Sequence, residues 1–108
     1  MNFTRAKQNC IENGGILYEP RIKELNFKVR NSIFALFGDN FPTAIWLGFD
    51  NLSGNWLYSA TKEPIDDNLW YETQPDNPDQ NCGSFYYQFG AELADFGCHF
   101  ELPSVCEF

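Results

Sequence analysis

The residues of this sequence best suited to chemistry are side chains that carry oxygen and lie a few positions from a cysteine. A Gln-Pro-Asp tripeptide at 74–76 and Gln80 precede Cys82, and Asp95 lies three residues before Cys98. A bridge between the two cysteines would bring both groups of oxygens onto one small surface. Paired amide and carboxylate groups hold ring hydroxyls by hydrogen bonds, and hard cations such as calcium bind the same oxygens.

The segment that contains the tripeptide, residues 59–81, is strongly acidic. A single Lys62 opposes six acids, which are Glu63, Asp66, Asp67, Glu72, Asp76 and Asp79. The charge alone favours a solvated acidic loop over a cation site. The 23 residues of the segment show no apolar face, and an irregular stretch of that length in a compact domain is typically functional or disordered. Trp70 and Tyr71 in its middle indicate that part of the loop is anchored.

Composition predicts one globular domain over residues 1–108. Of the 108 residues, 44% are hydrophobic and 18% are aromatic, which argues against disorder and favours strands. The net charge is −8 and no cluster of Lys or Arg is present, which argues against a nucleic-acid partner. No apolar run approaches the ~18–20 residues that would span a bilayer, so we expect no membrane insertion.

Four cysteines allow three disulfide pairings in this chain. Their spacing does not suit zinc, which favours close Cys-x-x-Cys or Cys/His pairs, and His99 is the only histidine. Disulfides are therefore the better interpretation. A small domain that depends on bridges belongs in an oxidising compartment, so we expect a secreted, extracellular protein.

Two helices are predicted in the first part of the chain. Apolar residues recur at helical spacing from Phe3 to Cys10, and an Asn-Gly-Gly segment follows them, which predicts a helix over residues 3–13. Pro20 favours the first turn of a second helix that ends near Gly38. The apolar residues of this second helix are irregular in period.

Strands are predicted by the remaining apolar runs, which cover residues 16–18, 45–49, 56–58, 83–89, 91–95 and 102–108. No polar residue interrupts the run at 45–49. Trp46 is therefore predicted to lie in the core and not in a binding site. Helices and strands together predict an α+β fold.

Several short motifs occur in a fixed order along the chain. They are Gly14-Gly15-x-Leu17, Ile45-Trp46-Leu47-Gly48-Phe49, Trp56, Trp70, Gln74-Pro75-Asp76, Cys82, Asp95-x-x-Cys98 and Val105-Cys106-Glu107. In this order, over residues 3–108, they resemble a C-type lectin-like domain. The resemblance implies two helices packed on antiparallel sheets, with residues 59–81 as a long binding loop. It also implies the disulfide pairs Cys10–Cys106 and Cys82–Cys98.

Members of that family usually have one or two strands before their first helix, whereas this sequence begins at that helix. The fold is therefore expected to lack the usual N-terminal strand, which would leave an open sheet edge beside residues 104–108. We accordingly expect self-association into a homo-oligomer, in which several weak sites act together.

Sugar-binding members of the family hold calcium through five side chains. The matching positions in this sequence are Gln74, Asp76, Gln80, Ala94 and Asp95. Gln80 stands where the family has Glu and so lacks a charge, and Ala94 stands where it has Asn and offers no side-chain oxygen. Calcium takes ~6–8 oxygen ligands. We therefore expect calcium binding at Gln74, Asp76 and Asp95 to be weak or absent.

The resemblance implies a carbohydrate-binding lectin without catalytic activity. The Gln-Pro-Asp order is the galactose type, which predicts galactose or N-acetylgalactosamine bound by Gln74, Asp76, Gln80 and Asp95. An aromatic side chain would stack on the sugar ring, and the candidates are Trp70, Tyr71 and Tyr86. The resemblance also implies a cis peptide bond before Pro75.

Structural roles compete with these assignments. Gln74 and Asp76 are also common turn residues. Asp95 would equally serve by accepting hydrogen bonds from backbone amides. Trp70 and Tyr86 would equally serve in the core or on the sheet surface.

The alternative function, favoured by the missing calcium ligands, is a lectin-like domain that binds a protein or another non-sugar ligand. An enzyme is not expected, because the sequence shows no Ser-His-Asp arrangement and no nucleotide-binding loop.

Overall fold

The first helix, α1, spans Phe3–Glu12 in a computed structural model that describes residues 1–90 and 92–108. The Asn2 side chain caps its start by accepting a hydrogen bond from the Arg5 backbone N–H at 2.9 Å. Gly14 follows its end with a φ of +87°, a conformation that residues with a Cβ rarely adopt. The predicted first helix is confirmed.

The second helix, α2, spans Lys23–Phe37. The prediction that it starts at Pro20 is wrong, because the chain is still extended at Ile22, where ψ is 117°. Tertiary hydrogen bonds hold this segment. The Asn26 side-chain amide donates to the Pro20 carbonyl at 3.2 Å, and the Arg21 guanidinium donates to a carboxylate of the long loop at 2.8 Å.

Six strands lie within the described residues. They are β1 (Ile16–Leu17), β2 (Ala44–Asp50), β3 (Leu57–Tyr58), β4 (Cys82–Tyr86), β5 (Leu93–Phe96) and β6 (Cys106–Glu107). Strands β3, β2, β4 and β5 form an antiparallel sheet in that order, and β1 pairs antiparallel with β6. The predicted α+β fold of two helices and antiparallel sheets is confirmed.

The strands predicted over 83–89 and 102–108 are shortened most. The strand predicted to reach Phe89 ends at Tyr86, and the following Tyr87–Phe89 form a 3-10 turn that ends at Gly90 with a φ of +64°. The last strand is confined to β6, because the Pro103 carbonyl before it accepts from the Trp46 N–H of the other sheet, at 2.8 Å. The strand predicted over 91–95 includes Ala91, which lies outside the described residues.

Two buried clusters form the core. One surrounds Trp46, which is fully buried and whose indole N–H donates to the Met1 carbonyl at 2.9 Å. The other surrounds Phe49 and includes Phe85 and Trp70. The predicted core position of Trp46 is confirmed. No helix among residues 1–90 and 92–108 combines the length and the apolar character needed to cross a bilayer.

Two disulfides join distant parts of the chain. Cys10 of α1 is bonded to Cys106 of β6, and Cys82 of β4 is bonded to Cys98. Both pairs implied by the resemblance are confirmed. The first bridge encloses nearly the whole chain, with a sequence separation of 96 residues, and the second closes a separation of 16 residues.

The long loop over residues 59–81 is anchored on the sheet. Its 3-10 turn at Asp67–Leu69 leads into Trp70, which is 8% exposed. The Tyr71 backbone N–H then donates to the Leu93 carbonyl of β5 at 3.0 Å. The predicted anchoring of the loop near Trp70 and Tyr71 is confirmed, and residues 74–77 of the loop lie beside β5.

Candidate functional site

The tripeptide loop and β5 are joined through two hydrogen bonds that involve Asp95. The Asp95 backbone N–H donates to Gln74 Oε1 at 3.3 Å, and Asp95 Oδ2 accepts from the Asn77 backbone N–H at 3.1 Å. The Gln74-Pro75 peptide bond is cis, as the resemblance implied. The two groups of oxygens identified in the sequence therefore meet. Asp95 also takes the structural role of accepting from a backbone amide.

A pocket of about 220 Å³ lies at this junction. It is lined by Gln74, Asp76, Gln80, Tyr86, Phe89, Ala94, Asp95 and Phe96. Of the seven residues that the sequence predicted to bind the sugar or to stack on it, five are among them. The loop supplies the polar side and the ends of β4 and β5 supply the aromatic side.

Two of the three stacking candidates, Trp70 and Tyr71, do not line this pocket. Trp70 lies in the core. Its ring makes edge contacts with Phe49, at a centroid distance of 5.5 Å, and with Trp56, at 4.9 Å. It belongs to the core cluster under β2 and borders a separate groove of about 480 Å³ with Pro64 and Pro75. Trp70 thus has the core role that competed with sugar stacking in the sequence analysis. Any ring that stacks on a sugar in the pocket belongs to another residue.

Three aromatic rings line the pocket instead. Tyr86 lies 4.9 Å from Phe89 and 5.9 Å from Phe96, measured between ring centroids. Tyr71 stacks on Phe89 at 4.1 Å with an interplanar angle of 9° and so braces it. Tyr71 therefore supports the wall and is not itself a lining residue.

Sequence reasoning missed Phe89 and Phe96. Phe96 could have been predicted, because side chains two residues apart on a strand point to the same face and Ala94 was already assigned to the site. Phe89 offered no such signal. It was assigned to a strand that in fact ends at Tyr86, and only the turn after this residue brings its ring to the pocket.

The electrostatics of the pocket are set by two carboxyl groups. Asp95 is 4% exposed, and burial raises the pKa of its carboxyl, with a further increase from the negative charge of Asp76. The backbone N–H of Asn77 opposes this by stabilising the charged form. Asp95 Oδ1 is buried and has no hydrogen-bond partner within the described residues. Among those residues no salt bridge involves Asp76 or Asp95.

Some of the side-chain oxygens at this pocket already accept hydrogen bonds from the protein itself. Ala94 supplies no side-chain oxygen, Gln74 Oε1 accepts from the Asp95 N–H, and Asp95 Oδ2 accepts from the Asn77 N–H. No group of three or more His, Cys, Asp or Glu side chains within residues 1–90 and 92–108 is placed to hold a metal ion. Calcium takes ~6–8 oxygen ligands, whereas the lining side chains leave four oxygens that accept no hydrogen bond from a described residue, two on Asp76, one on Gln80 and one on Asp95.

The architecture of this chain is shared with several solved structures. The carbohydrate-recognition domain of the mouse scavenger receptor C-type lectin is 22% identical, with a TM-score of 0.78 over 97% of this chain and 78% of that one. Human lithostathine is 20% identical, with a TM-score of 0.83 over 99% of this chain and 76% of that one. A calcium-independent type II antifreeze protein is 21% identical, with a TM-score of 0.75 over 98% of this chain and 77% of that one.

At these identities the similarity to solved structures establishes the fold alone. No curated protein sequence is similar enough to count as a relative. The sequence profile described as Lectin C-type domain, by contrast, matches residues 1–108. That family is built on a non-catalytic carbohydrate-binding fold, in agreement with the expectation that the chain is not an enzyme. The chain belongs to the C-type lectin domain family.

Proposed function

We propose that this chain is a carbohydrate-binding lectin that recognises galactose or N-acetylgalactosamine-type rings with reduced or absent dependence on calcium. The observation that carries the proposal is the pocket itself, in which amide and carboxylate oxygens face aromatic rings across about 220 Å³. Ligand pockets for drug-sized molecules measure ~300–1,000 Å³, so this smaller pocket suits one or two sugar rings.

The polar side of the pocket would orient the sugar. Asp76 is exposed at the rim and accepts no hydrogen bond from another described residue, so its oxygens are available to ring hydroxyls. The side-chain NH2 groups of Gln74 and Gln80 offer donors, and the Gln80 oxygen also offers an acceptor. Hydrogen bonds to a charged carboxylate are about twice as strong as neutral ones, which makes Asp76 the principal anchor of the proposed site.

The aromatic side would supply the apolar contact. Tyr86 is half-buried and its ring meets Phe89 at an interplanar angle of 66°, so the two rings form a corner that a sugar ring face can enter. An aromatic contact of good geometry contributes about 0.5–1.5 kcal/mol beyond the area that it buries. Tyr86 was predicted for this role from the sequence, and Phe89 joins it.

Calorimetry with N-acetylgalactosamine, in the presence and absence of excess chelator, tests this proposal. We expect the dissociation constant to change less than about twofold on chelation, because the pocket lacks the oxygens that calcium requires. We expect Asp76→Ala to weaken binding by about tenfold or more, through loss of a charge-assisted hydrogen bond.

The control is Asp79→Ala, which removes an exposed acid of the same loop that does not line the pocket. We expect this variant to bind as the unchanged chain does. Binding abolished by chelator would contradict calcium independence. Equal loss in both variants would show that the net charge of the loop, and not the pocket, determines affinity.

We also propose that the chain acts outside the cell and self-associates. Two disulfides support the extracellular location, because such bridges persist in oxidising compartments.

Self-association is supported by α2, where large apolar side chains are exposed, namely Leu25, Phe27, Phe34, Leu36 and Phe37. A dimer would multiply the strength of weak single sites by about 10²–10⁴ on a multivalent surface. Light scattering at tens of micromolar should give more than the monomer mass, and a strictly monomeric mass would contradict the proposal.

A second candidate function is a lectin-like domain that binds a protein. The exposed apolar side chains of α2 favour it, because apolar surface that leaves water when a partner binds stabilises the complex. A panel of immobilised sugars separates the two functions. Retention on the panel with elution by free sugar supports the lectin, and absence of binding to every sugar favours the second candidate.

A further inference from the structure

The pocket carries negative charge that no cation of the described residues balances. Asp76 and Asp95 both line it. The salt bridges within residues 1–90 and 92–108 involve Glu19, Glu63 and Glu101, and all three lie elsewhere. The loop around Asp76 adds further acids and only one lysine. A ligand that enters this pocket therefore meets uncompensated carboxylate charge.

The hydrogen bonding of Asp95 adds a second observation. The residue is 4% exposed and is among those that line the pocket, and its Oδ1 is buried without a hydrogen-bond partner in the described part of the chain. Its Oδ2 is already satisfied by the Asn77 N–H at 3.1 Å. Leaving a buried acceptor unsatisfied is destabilising. A donor brought by the ligand would remove that cost.

The aromatic wall selects among cationic donors. A cation positioned within ~6 Å of a ring centroid is attracted by the negative face of the ring. Tyr86, Phe89 and Phe96 all line the pocket, and Tyr86 contacts the other two rings at centroid distances of 4.9 Å and 5.9 Å, so a cation in the pocket lies beside a continuous aromatic wall. Calcium gains little from such a wall, because it requires oxygens on most sides. An organic ammonium group requires only a few acceptors and tolerates apolar neighbours.

We infer that this pocket binds an amino sugar through its primary ammonium group, which takes the place that a metal ion holds in calcium-dependent relatives. The ammonium nitrogen donates to Asp76 and to Asp95 Oδ1, and its remaining side faces the aromatic wall. The sugar ring hydroxyls are left to Gln74 and Gln80. This inference rests on the proposed sugar-binding function and names the ligand class of the same site.

The test compares galactosamine, galactose, N-acetylgalactosamine and methylammonium by calorimetry or by NMR titration. The measurements are made at about pH 6.5, below the ordinary pKa of an amine flanked by polar groups. We expect galactosamine to bind about tenfold tighter than galactose, because charge-assisted hydrogen bonds are stronger than neutral ones.

Two variants show whether the preference comes from the pocket. In Asp76→Asn, which keeps the shape of the side chain and removes its charge, we expect the preference for galactosamine to fall to less than about twofold. In Asp79→Asn, which removes the same charge outside the pocket, we expect the tenfold preference to persist. Both positions are exposed, so neither change disturbs the core.

The outcomes separate this inference from the proposed function. If galactose and N-acetylgalactosamine bind and galactosamine binds no tighter, the ammonium site is overturned while the lectin function stands. If methylammonium binds and none of the sugars does, the ammonium site stands while the sugar function falls. An equal preference for galactosamine in the unchanged chain and in Asp76→Asn also overturns the inference. Absence of binding by all four compounds overturns both.

Discussion

Serine in place of both Cys10 and Cys106 is expected to lower the free energy of unfolding by about 4–5 kcal/mol. The bridge closes a sequence separation of 96 residues and so restricts nearly the whole unfolded chain. A small domain has only ~5–15 kcal/mol of stability in total. The variant should therefore unfold at a much lower urea concentration, as measured by the intrinsic fluorescence of its tryptophans.

The matched control is the Cys82→Ser/Cys98→Ser variant. That bridge closes a separation of only 16 residues, and the same chain-entropy relation gives about 3 kcal/mol for it. The larger bridge should thus cost more to remove. A greater loss from the smaller bridge would show that the chain-entropy account is incorrect for this fold and that local packing around Cys82 dominates.

Phe49→Ala is expected to lower the free energy of unfolding by about 3–5 kcal/mol, because it leaves a cavity in the core. Phe49 is 0% exposed and its ring contacts Trp56 and Trp70 at centroid distances of 5.8 Å and 5.5 Å. The opposite side of the ring packs so closely on Gly83 of β4 that a Cβ there would collide with it. The environment of Phe49 is therefore filled from both sides, and neighbouring side chains have little freedom to collapse into the space.

Phe27→Ala provides the comparison, because Phe27 lies on α2 and is 45% exposed. Surface substitutions of this kind typically change stability by about 0.5 kcal/mol. Chemical denaturation of both variants under the same conditions measures the difference. The comparison is made at a concentration where light scattering gives the monomer mass, and similar losses for the two would then contradict the prediction and show that the core near Phe49 relaxes.

The parts of the fold that the sequence predicted correctly are those decided by local chemistry. The run at 45–49 is apolar without interruption, and Trp46 is accordingly buried in β2. The helix over Phe3–Glu12 has a cap at one end and a glycine at the other. The start of α2 was wrong because it depends on a hydrogen bond from Asn26 to the Pro20 carbonyl and on the contacts of Arg21 with a distant loop. No local pattern contains that information.

The candidate site also has one part that the sequence predicted and one part that it did not. Its polar residues could be predicted because the tripeptide at 74–76 and Asp95 each lie close to a cysteine in the sequence, and the Cys82–Cys98 bridge brings them together. Its aromatic residues could be predicted only in part. Trp70 packs in the core against Phe49, which is 21 positions away along the chain. Phe89 reaches the pocket through a turn, whereas its sequence pattern is that of a strand.

The anchored loop over residues 59–81 has a consequence for how this protein can evolve. The side chains that hold the fold, such as Trp46 and Phe49, lie on β2, whereas Gln74, Asp76 and Gln80 lie on the loop and contribute little to the core. Substitutions at the loop positions can therefore accumulate without crossing the stability threshold that eliminates most core mutations. Asp95 and Gln74 are the exceptions, because Asp95 is buried on β5 and accepts from the Asn77 N–H, and Gln74 Oε1 accepts from the Asp95 N–H. Binding preference can therefore change at Asp76 and Gln80 while Asp95 and Gln74 hold the loop against β5.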